Sequence, residues 1–474
     1  MRSTATACLA VSMAMAACAP SQDATVRPRA SEHDAGAGVS RAALERVADS
    51  VFAVEMAAEK LPGGVFVWVQ NGRVVLAKGY GVSDLRTRHP VSPDSTLWRI
   101  GSISKVMTAA GVVQLADRGR IRLDGDVNDY LRSVKVPATY PETVTPRHLV
   151  THTAGFDELP GRSAPSREAV LPLGEFLRTR LVRVRQPGRV IAYSSFAPAL
   201  AGALIEDVSG LPFETYLERN LWHPLGMHDT NVHPRGALPA GYGVRGDSVV
   251  DATWEWSHTA PAGMVNSTAA DMGRFIGFML GHHPRGRRVL GDAARRSMLS
   301  RQFTTHPQVP GMGLGFQEAR VHGRVIFEHG GDIDGYASLL VLLPEEGSGF
   351  FVATHREGAQ LRYALRKALL DRFYGTPEVA ARRMAGADLA PFTGEYRWNI
   401  WCRSCANPWR PGAVQVTADG DSALKAMGER WVPVAPLLFQ TRGGRRQIGF
   451  ARDSAGQVWQ FTLGGAGVME RVRR

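Results

Sequence analysis

Trp98-Arg99-Ile100-Gly101-Ser102-Ile103-Ser104-Lys105 is the stretch on which the reading of this chain turns. Lysine is rare here, with only Lys60, Lys78, Lys105, Lys135, Lys367 and Lys425 among 56 basic residues, and one of them stands three positions after a serine. On a helix that spacing puts Ser102 and Lys105 on one face, close enough for the amine to take or stabilise the hydroxyl proton, which an otherwise weak nucleophile requires. Val106, Met107, Ala109, Ala110, Val112, Val113 and Leu115 follow, an apolar series broad enough for a buried helix that ends near Gly119. Asp94-Ser95-Thr96 precedes it as a capping-type cluster, so Ser102 is expected in the first helical turn, where backbone N–H groups stabilise an anion. The same spacing recurs at Ser422-Ala423-Leu424-Lys425. There it follows Ala418-Asp419-Gly420-Asp421, a turn signal in a strand-rich tail, and reads as a solvated hairpin.

Outward from this helix the periodicity is mixed. Gly64 to Val69 is apolar and β-branched, and Asn71-Gly72 is a hairpin turn leading into Arg73 to Lys78, so paired antiparallel strands open the core. A long Pro- and Gly-punctuated stretch from about residue 119 to 285 reads as helical. Strand signals return at Val325-Ile326-Phe327, Ser338 to Leu343 and Gly349 to Thr354, followed by a helix with Leu361, Ala364, Leu365, Ala368 and Leu369 on its apolar face. Strands from both ends of one segment enclosing a helical insertion predict an α+β unit over residues 41–375: an antiparallel sheet flanked by helices, with a helical subdomain. A linker at 376–389 leads into a 390–474 tail. Thr393 to Trp398, Ala413 to Thr417, Trp431 to Val434, Leu437 to Thr441, Arg446 to Ala451 and Val458 to Leu463 are six short strands there, which predict a small C-terminal β-barrel or sandwich.

A length of 474 residues calls for two folded units plus tails, and 44% hydrophobic with 21% charged residues is globular composition. Residues 1–18 carry one charge, Arg2, and an Ala-rich run with Leu9, Val11, Met13 and Met15, too short for a permanent span and read as a signal peptide. Met15-Ala16-Ala17-Cys18 resembles the bacterial lipobox, which implies lipidation of Cys18 and a membrane anchor; an ordinary signal-peptidase cut near Ala16 is the alternative. Ala19 in place of an aspartate then favours an outer-membrane lipoprotein over one retained at the inner membrane, with the periplasm the other exported destination. Residues 19–40, rich in Ala, Ser, Gly and charge, read as a flexible tether.

In an exported protein the remaining pair, Cys402 and Cys405, reads as a short-loop disulfide, ahead of free thiols or a metal half-site. Trp398, Trp401 and Trp409 beside it read as packing residues. The net charge of +12 comes from arginine spread along the chain without a dense basic block, which argues against nucleic acid and for nothing more specific than an anionic surface. His223, His228, His233 and His282-His283-Pro284 lack the spacing and carboxylate company of a metal site, so no metal is expected.

Several further segments, in order, give the chain a family likeness. Leu149-Val150-Thr151-His152-Thr153-Ala154-Gly155, Pro187-Gly188 followed by Tyr193-Ser194-Ser195, Pro261-Ala262-Gly263-Met264-Val265-Asn266-Ser267-Thr268-Ala269-Ala270-Asp271-Met272, and His329-Gly330-Gly331 follow the Ser102 segment. Over residues 60–370 the chain thus resembles the penicillin-recognising serine hydrolases, in the branch of class C β-lactamases, D-Ala-D-Ala carboxypeptidases, D-aminopeptidases and esterases. The tail beginning Phe392-Thr393-Gly394-Glu395-Tyr396 looks like the lipocalin-like β-domain often appended in that family. Two departures are visible: Ser195 stands where asparagine is usual in Tyr-x-Asn, and His329 where lysine is usual in Lys-Thr-Gly.

The resemblance implies a β-lactamase/transpeptidase-like fold and an acyl-enzyme on Ser102, formed without organic cofactor. Lys105 and Tyr193 would handle protons, and the backbone N–H groups of Ser102 and of Asp332, just after Gly331, would hold the oxyanion. Ser195, His329, Gly330, Gly331 and Asp332 are accordingly the candidate substrate-binding and oxyanion residues. His152 is expected to fix a loop by hydrogen bonds. The two departures favour small esters or amides over β-lactams, with peptides or peptidoglycan fragments for a D-Ala-D-Ala carboxypeptidase or D-aminopeptidase as the alternative. A ligand-binding sensor that kept the fold is the reading outside catalysis, and the joint presence of Ser102, Lys105 and Tyr193 weighs against it.

Overall fold

The computed structural model describes residues 39–234, 239–375, 384, 386–441, 444 and 446–472. The signal peptide with Cys18, nearly all of the 19–40 tether, and most of the 376–389 linker lie outside the described residues.

The helix Arg41–Glu59, which the sequence reading did not anticipate, starts the fold. Ser40 caps it by accepting from the Ala43 N–H, and Leu44, Ala48 and Phe52, four apart, form its buried stripe. The main sheet follows. Its strands are β1 (Gly63–Gln70), β2 (Arg73–Asp84), β3 (His89–Pro90), β4 (Gln317–Val321), β5 (Arg324–Ile333), β6 (Tyr336–Leu343) and β7 (Ser348–His355), in the antiparallel order β4-β5-β6-β7-β1-β2-β3. The chain leaves after β3 and returns at β4, so the two ends of the segment meet where β1 pairs with β7. β6 and β7 are buried along their whole length, because both faces of the sheet are covered.

On one face Phe66, Trp68, Leu339, Val341, Phe350 and Val352 pack against Arg41–Glu59 and the terminal helix Leu361–Tyr374. On the other, Val65, Val67, Leu340, Leu342 and Phe351 join a larger core with the helices Ser104–Asp117, Phe196–Ser209 and Ala269–Met279. The 119–285 insertion is less helical than its pattern suggested. Much of it is irregular chain carrying short helices and two-residue strands such as Ser163–Ala164 against Trp256–Ser257, since its frequent Pro and Gly break helices as readily as they end them.

The C-terminal unit is a closed barrel of eight strands between Gly394 and Arg471. The six strands expected are present, and Ala423–Ala426 and Val468–Arg471 are the two that were missed. Both are only four residues long, too short for a clear alternation. The barrel has its own core around Tyr396, Trp431, Phe439, Phe450 and Phe461. It docks on the sheet unit through a separate small cluster in which Ala466 and Val468 pack on Val190, Ile191 and Met312.

Candidate active site

Ser102 sits in a single tight turn, Gly101–Ile103, that runs straight into the helix Ser104–Asp117. The capping expectation for Asp94-Ser95-Thr96 is corrected here. Those residues form a turn in which Thr96 Oγ1 accepts from the Ser92 N–H at 2.8 Å, followed by the short strand Trp98–Arg99, and the helix start has no side-chain cap. Gly101 adopts φ +52°, and a methyl placed on it would stand 2.9 Å from the Asp332 nitrogen, so glycine is what lets the turn lie against the end of β5. Gly331 allows the same approach from the other side, since a methyl there would be 2.0 Å from the Ile100 carbonyl oxygen. Asp332 is fixed by Arg362, whose Nη2 donates to both carboxylate oxygens at 2.8 and 2.7 Å while its Nη1 donates to the Gly331 carbonyl at 2.6 Å. Ser102 and the backbone of Asp332 are thereby brought together.

The helix places Lys105 beneath Ser102. Its buried amine donates to Ser102 Oγ at 3.0 Å and to the Ala262 carbonyl at 2.6 Å. The strap that carries Ala262 is held in turn by the same helix: Thr108 donates to the Pro261 carbonyl, and Ser104 Oγ accepts from the Val265 N–H. Burial, reinforced by the nearby Arg162 guanidinium, pushes the Lys105 pKa well below the ordinary lysine range. Tyr193 faces the same amine, which lies 4.9 Å from its ring centroid, and lines the same cavity as Ser102. Burial pushes the Tyr193 pKa up, opposed in part by the Ser102 side chain, and pushes that of Lys105 down, so the charged forms of both are disfavoured in the resting site.

The segment behind Tyr193 is pinned at each residue. His152, at φ +56°, accepts at Nδ1 from the Ser194 N–H at 3.3 Å and lays its ring 4.4 Å from that of Tyr193. The Ser195 N–H donates to Glu158 Oε2 at 2.8 Å.

These groups border a cavity of about 270 Å³. Ser102, Lys105, Tyr193, Ser195 and Asp332 line it. His329, Gly330 and Gly331, expected among the substrate contacts, do not. His329 is 1% exposed, its ring centroid 6.2 Å from that of Tyr193 and its Nδ1 on the Gly330 carbonyl at 2.7 Å, and burial together with Lys105 lowers its pKa to about 3. In the β5–β6 register His329 is paired with Leu340, whose side chain joins the core on the Ser102 side, and Asp332 with Ala337 of the opposite core, so His329 shares the face of Ser102 and Tyr193 while the Asp332 side chain turns to Arg362.

Sequence reasoning missed three charged lining residues, Glu158, Arg162 and Glu255. Arg162 pairs with Glu158, four residues earlier, and Glu255 accepts from Ser163 Oγ at 2.7 Å. They come from loops without a periodic signal, and only the tertiary fold assembles them. It also missed the barrel's share. Trp398, Ile400, Trp401, Cys402, Cys405 and Trp409 line the same cavity, and Cys402 and Cys405 are joined in a disulfide. Ser422 is far from this arrangement, in the turn after Ala413–Asp419, where it accepts from Arg430. His233, expected without an acidic neighbour, pairs with Glu214 at 2.6 Å.

Comparison with known proteins agrees with this architecture. The chain is 26% identical over 319 residues to protein flp of Staphylococcus aureus strain N315, covering 64% of this chain and 61%, about three fifths, of that protein's length. It is 31% identical over 353 residues to penicillin-binding protein 4 of Amycolatopsis lactamdurans, covering 68% of this chain and 88% of that one. The octameric penicillin-binding protein homologue from Pyrococcus abyssi superposes with a TM-score of 0.61 at 21% identity, over 89% of this chain and 98% of that chain, so the likeness in fold extends beyond the sheet unit. The family model described as Beta-lactamase matches residues 48–372, and with the sheet, the helical insertion and the appended closed barrel the chain belongs to the beta-lactamase family.

Proposed function

We propose that this protein is a serine hydrolase that acts through an acyl-enzyme on small ester or amide substrates. The observation that carries the reading is the Ser102 hydroxyl, at the edge of the cavity, hydrogen-bonded to the buried Lys105 amine at 3.0 Å. With its charged form disfavoured by burial, the Lys105 amine in contact with Ser102 Oγ takes the Ser102 proton, so Lys105 acts as the base while Ser102 Oγ attacks the carbonyl carbon. The oxyanion lies between the N–H groups of Ser102 and Asp332, the pair that Gly101 and Gly331 bring together. The proton then passes through the Tyr193 hydroxyl to the leaving oxygen or nitrogen, and the same groups in reverse activate the water that releases the acyl group.

Small esters and amides are favoured over carboxylate-bearing substrates because the cavity offers no free cation among the described residues. Burial disfavours the charged form of Lys105, Arg162 is engaged by Glu158, and burial holds the His329 pKa at about 3. A missing charge-assisted hydrogen bond removes about 1.5–3 kcal/mol, or one to two decades in binding, from substrates that depend on it. The second reading, a D-Ala-D-Ala carboxypeptidase or β-lactamase, draws on the penicillin-binding names of the relatives and on Arg162, which would serve if a substrate carboxylate displaced Glu158. Export to the bacterial envelope, with or without a lipid on Cys18, belongs to the same proposal.

The test compares kcat/KM for p-nitrophenyl butyrate and nitrocefin on one preparation. The ester is expected to be the better substrate; a tenfold or greater preference for the cephalosporin overturns the esterase reading in favour of β-lactamase.

A further inference from the structure

The barrel contributes a wall to the cavity, and its chemistry differs from that of the floor. Ser102, Lys105, Glu158, Arg162, Tyr193 and Glu255 are polar and come from the sheet unit, whereas the side supplied by the barrel presents Trp398, Ile400, Trp401 and Trp409. Trp409 is 52% exposed although it borders this cavity. An exposed indole at the mouth of a cavity is an apolar contact awaiting a partner. Trp401 is held rigid, its ring flanked by the Arg403 and Arg410 guanidinium groups at 5.1 and 4.9 Å.

The loop between the barrel strands Gly394–Trp398 and Ala413–Asp419 that carries Trp401 and Trp409 is fastened more firmly than a surface loop needs to be. The Cys402–Cys405 disulfide closes its first turn. Asp157, buried in the sheet unit, accepts there from the Arg403 N–H at 2.9 Å, the Ser404 N–H at 2.8 Å and Ser404 Oγ at 2.7 Å. Asn399 donates to the Ile191 carbonyl at 2.9 Å, two residues before Tyr193, and Arg185 bonds both Asn399 and Glu470. The latch therefore ties the apolar wall to the same segment that carries Tyr193.

We propose that this latched loop of the barrel is the specificity wall of the enzyme, with Trp401 and Trp409 receiving an aromatic or branched apolar group of the substrate, and with Asp157 and the Cys402–Cys405 disulfide as positioning elements. The proposal rests on the hydrolase reading for its kinetic consequence but not for binding. Substrates too small to reach the wall are turned over by the floor alone. Those with a phenyl-sized group gain affinity from the indoles, and that gain depends on the loop staying closed.

The experiment uses the full chain and two matched pairs, p-nitrophenyl acetate against p-nitrophenyl 4-phenylbutanoate, and ethyl acetate against 2-phenylethyl acetate. Wild type should prefer the aromatic member of at least one pair, which also shows whether the acyl or the alcohol side meets the wall. Trp409→Ala, Trp401→Ala and Cys402→Ser/Cys405→Ser should each lose tenfold or more in kcat/KM on that member, through KM, with less than a twofold change on its small partner. Trp409 is exposed, so its truncation leaves the fold intact. Calorimetric binding of 4-phenylbutyrate and 2-phenylethanol to Ser102→Ala protein reads the wall without catalysis: binding of either that Trp409→Ala abolishes supports the proposal even if no ester is hydrolysed. An enzyme active on the small esters, with no aromatic preference in either pair or with equal effects of the variants on both members, overturns the wall and leaves the hydrolase reading standing.

Discussion

Gly101→Ala is the substitution that most directly probes how the fold builds the nucleophile. Its backbone lies at φ +52°, where an L residue costs about 1–2 kcal/mol. The new methyl would also stand 2.9 Å from the Asp332 nitrogen and 3.1 Å from both the Gly331 carbonyl carbon and the Asp332 oxygen. These are strand atoms, and Arg362 holds them from behind, so they cannot swing aside as the end of a flexible side chain would. The strain is relieved instead by separating the Ser102 turn from β5. With about 2–4 °C lost per kcal/mol in domains of comparable size, a fall in Tm of several degrees is expected. The kinetic loss should be larger, because misplacement by about 1 Å or loss of one oxyanion donor costs about a hundredfold. Circular-dichroism melts and steady-state hydrolysis of p-nitrophenyl butyrate at 25 °C, where the variant remains folded, separate the two effects: kcat should drop about a hundredfold with KM little changed. A variant that keeps its kcat within threefold of wild type, whatever its Tm, would refute the idea that the close approach of Ser102 to Asp332 serves the reaction.

Lys105→Met should abolish turnover yet raise Tm at pH 7. The folded-state pKa of Lys105 lies below its unfolded value of about 10.4, so between the two the unfolded chain binds the extra proton and native stability falls as pH drops. Melts of both proteins at pH 7 and pH 9.5 check this, since the advantage of the variant should shrink at the higher pH; a variant less stable at both would mean that Lys105 is charged in the folded protein. Tyr193→Phe and Lys105→Ala should each cost at least about 3 kcal/mol in transition-state stabilisation, and the double variant no more than the worse single one, because they move the same proton. Additive losses in kcat/KM would separate their roles, and near wild-type rates for Tyr193→Phe would move the proton relay elsewhere.

The parts of this molecule that were legible in the sequence are those encoded within a few residues of one another. Ser102 and Lys105 announce themselves by spacing and by the rarity of lysine, and β1, β2 and the strands from Arg324 to His355 by their β-branched runs. The helix Arg41–Glu59 was missed although Ser40 with Leu44, Ala48 and Phe52 carries its signature, because the Ala- and charge-rich tract before it drew the boundary without asking what the next residues form. His329 was placed in the cavity from its position in a motif; it lies on the Tyr193 face of the sheet but is buried, and the cavity surface does not reach it. Arg162 and Glu255 are 93 residues apart (255 − 162) and meet only in the folded chain. Trp401 and Trp409 read as packing because sequence gives no sign that a loop of the second unit closes over the first. The disulfide pair was visible; what it fastens was not.

The central claim is that Ser102 carries the acyl group, and mass spectrometry of the protein trapped with a fluorophosphonate or a slowly released aryl ester tests it most directly. The account predicts one covalent adduct, on the peptide containing Ser102, that is lost in Ser102→Ala together with all ester turnover. An adduct on Ser422 or any other serine, or turnover that survives Ser102→Ala, would contradict it.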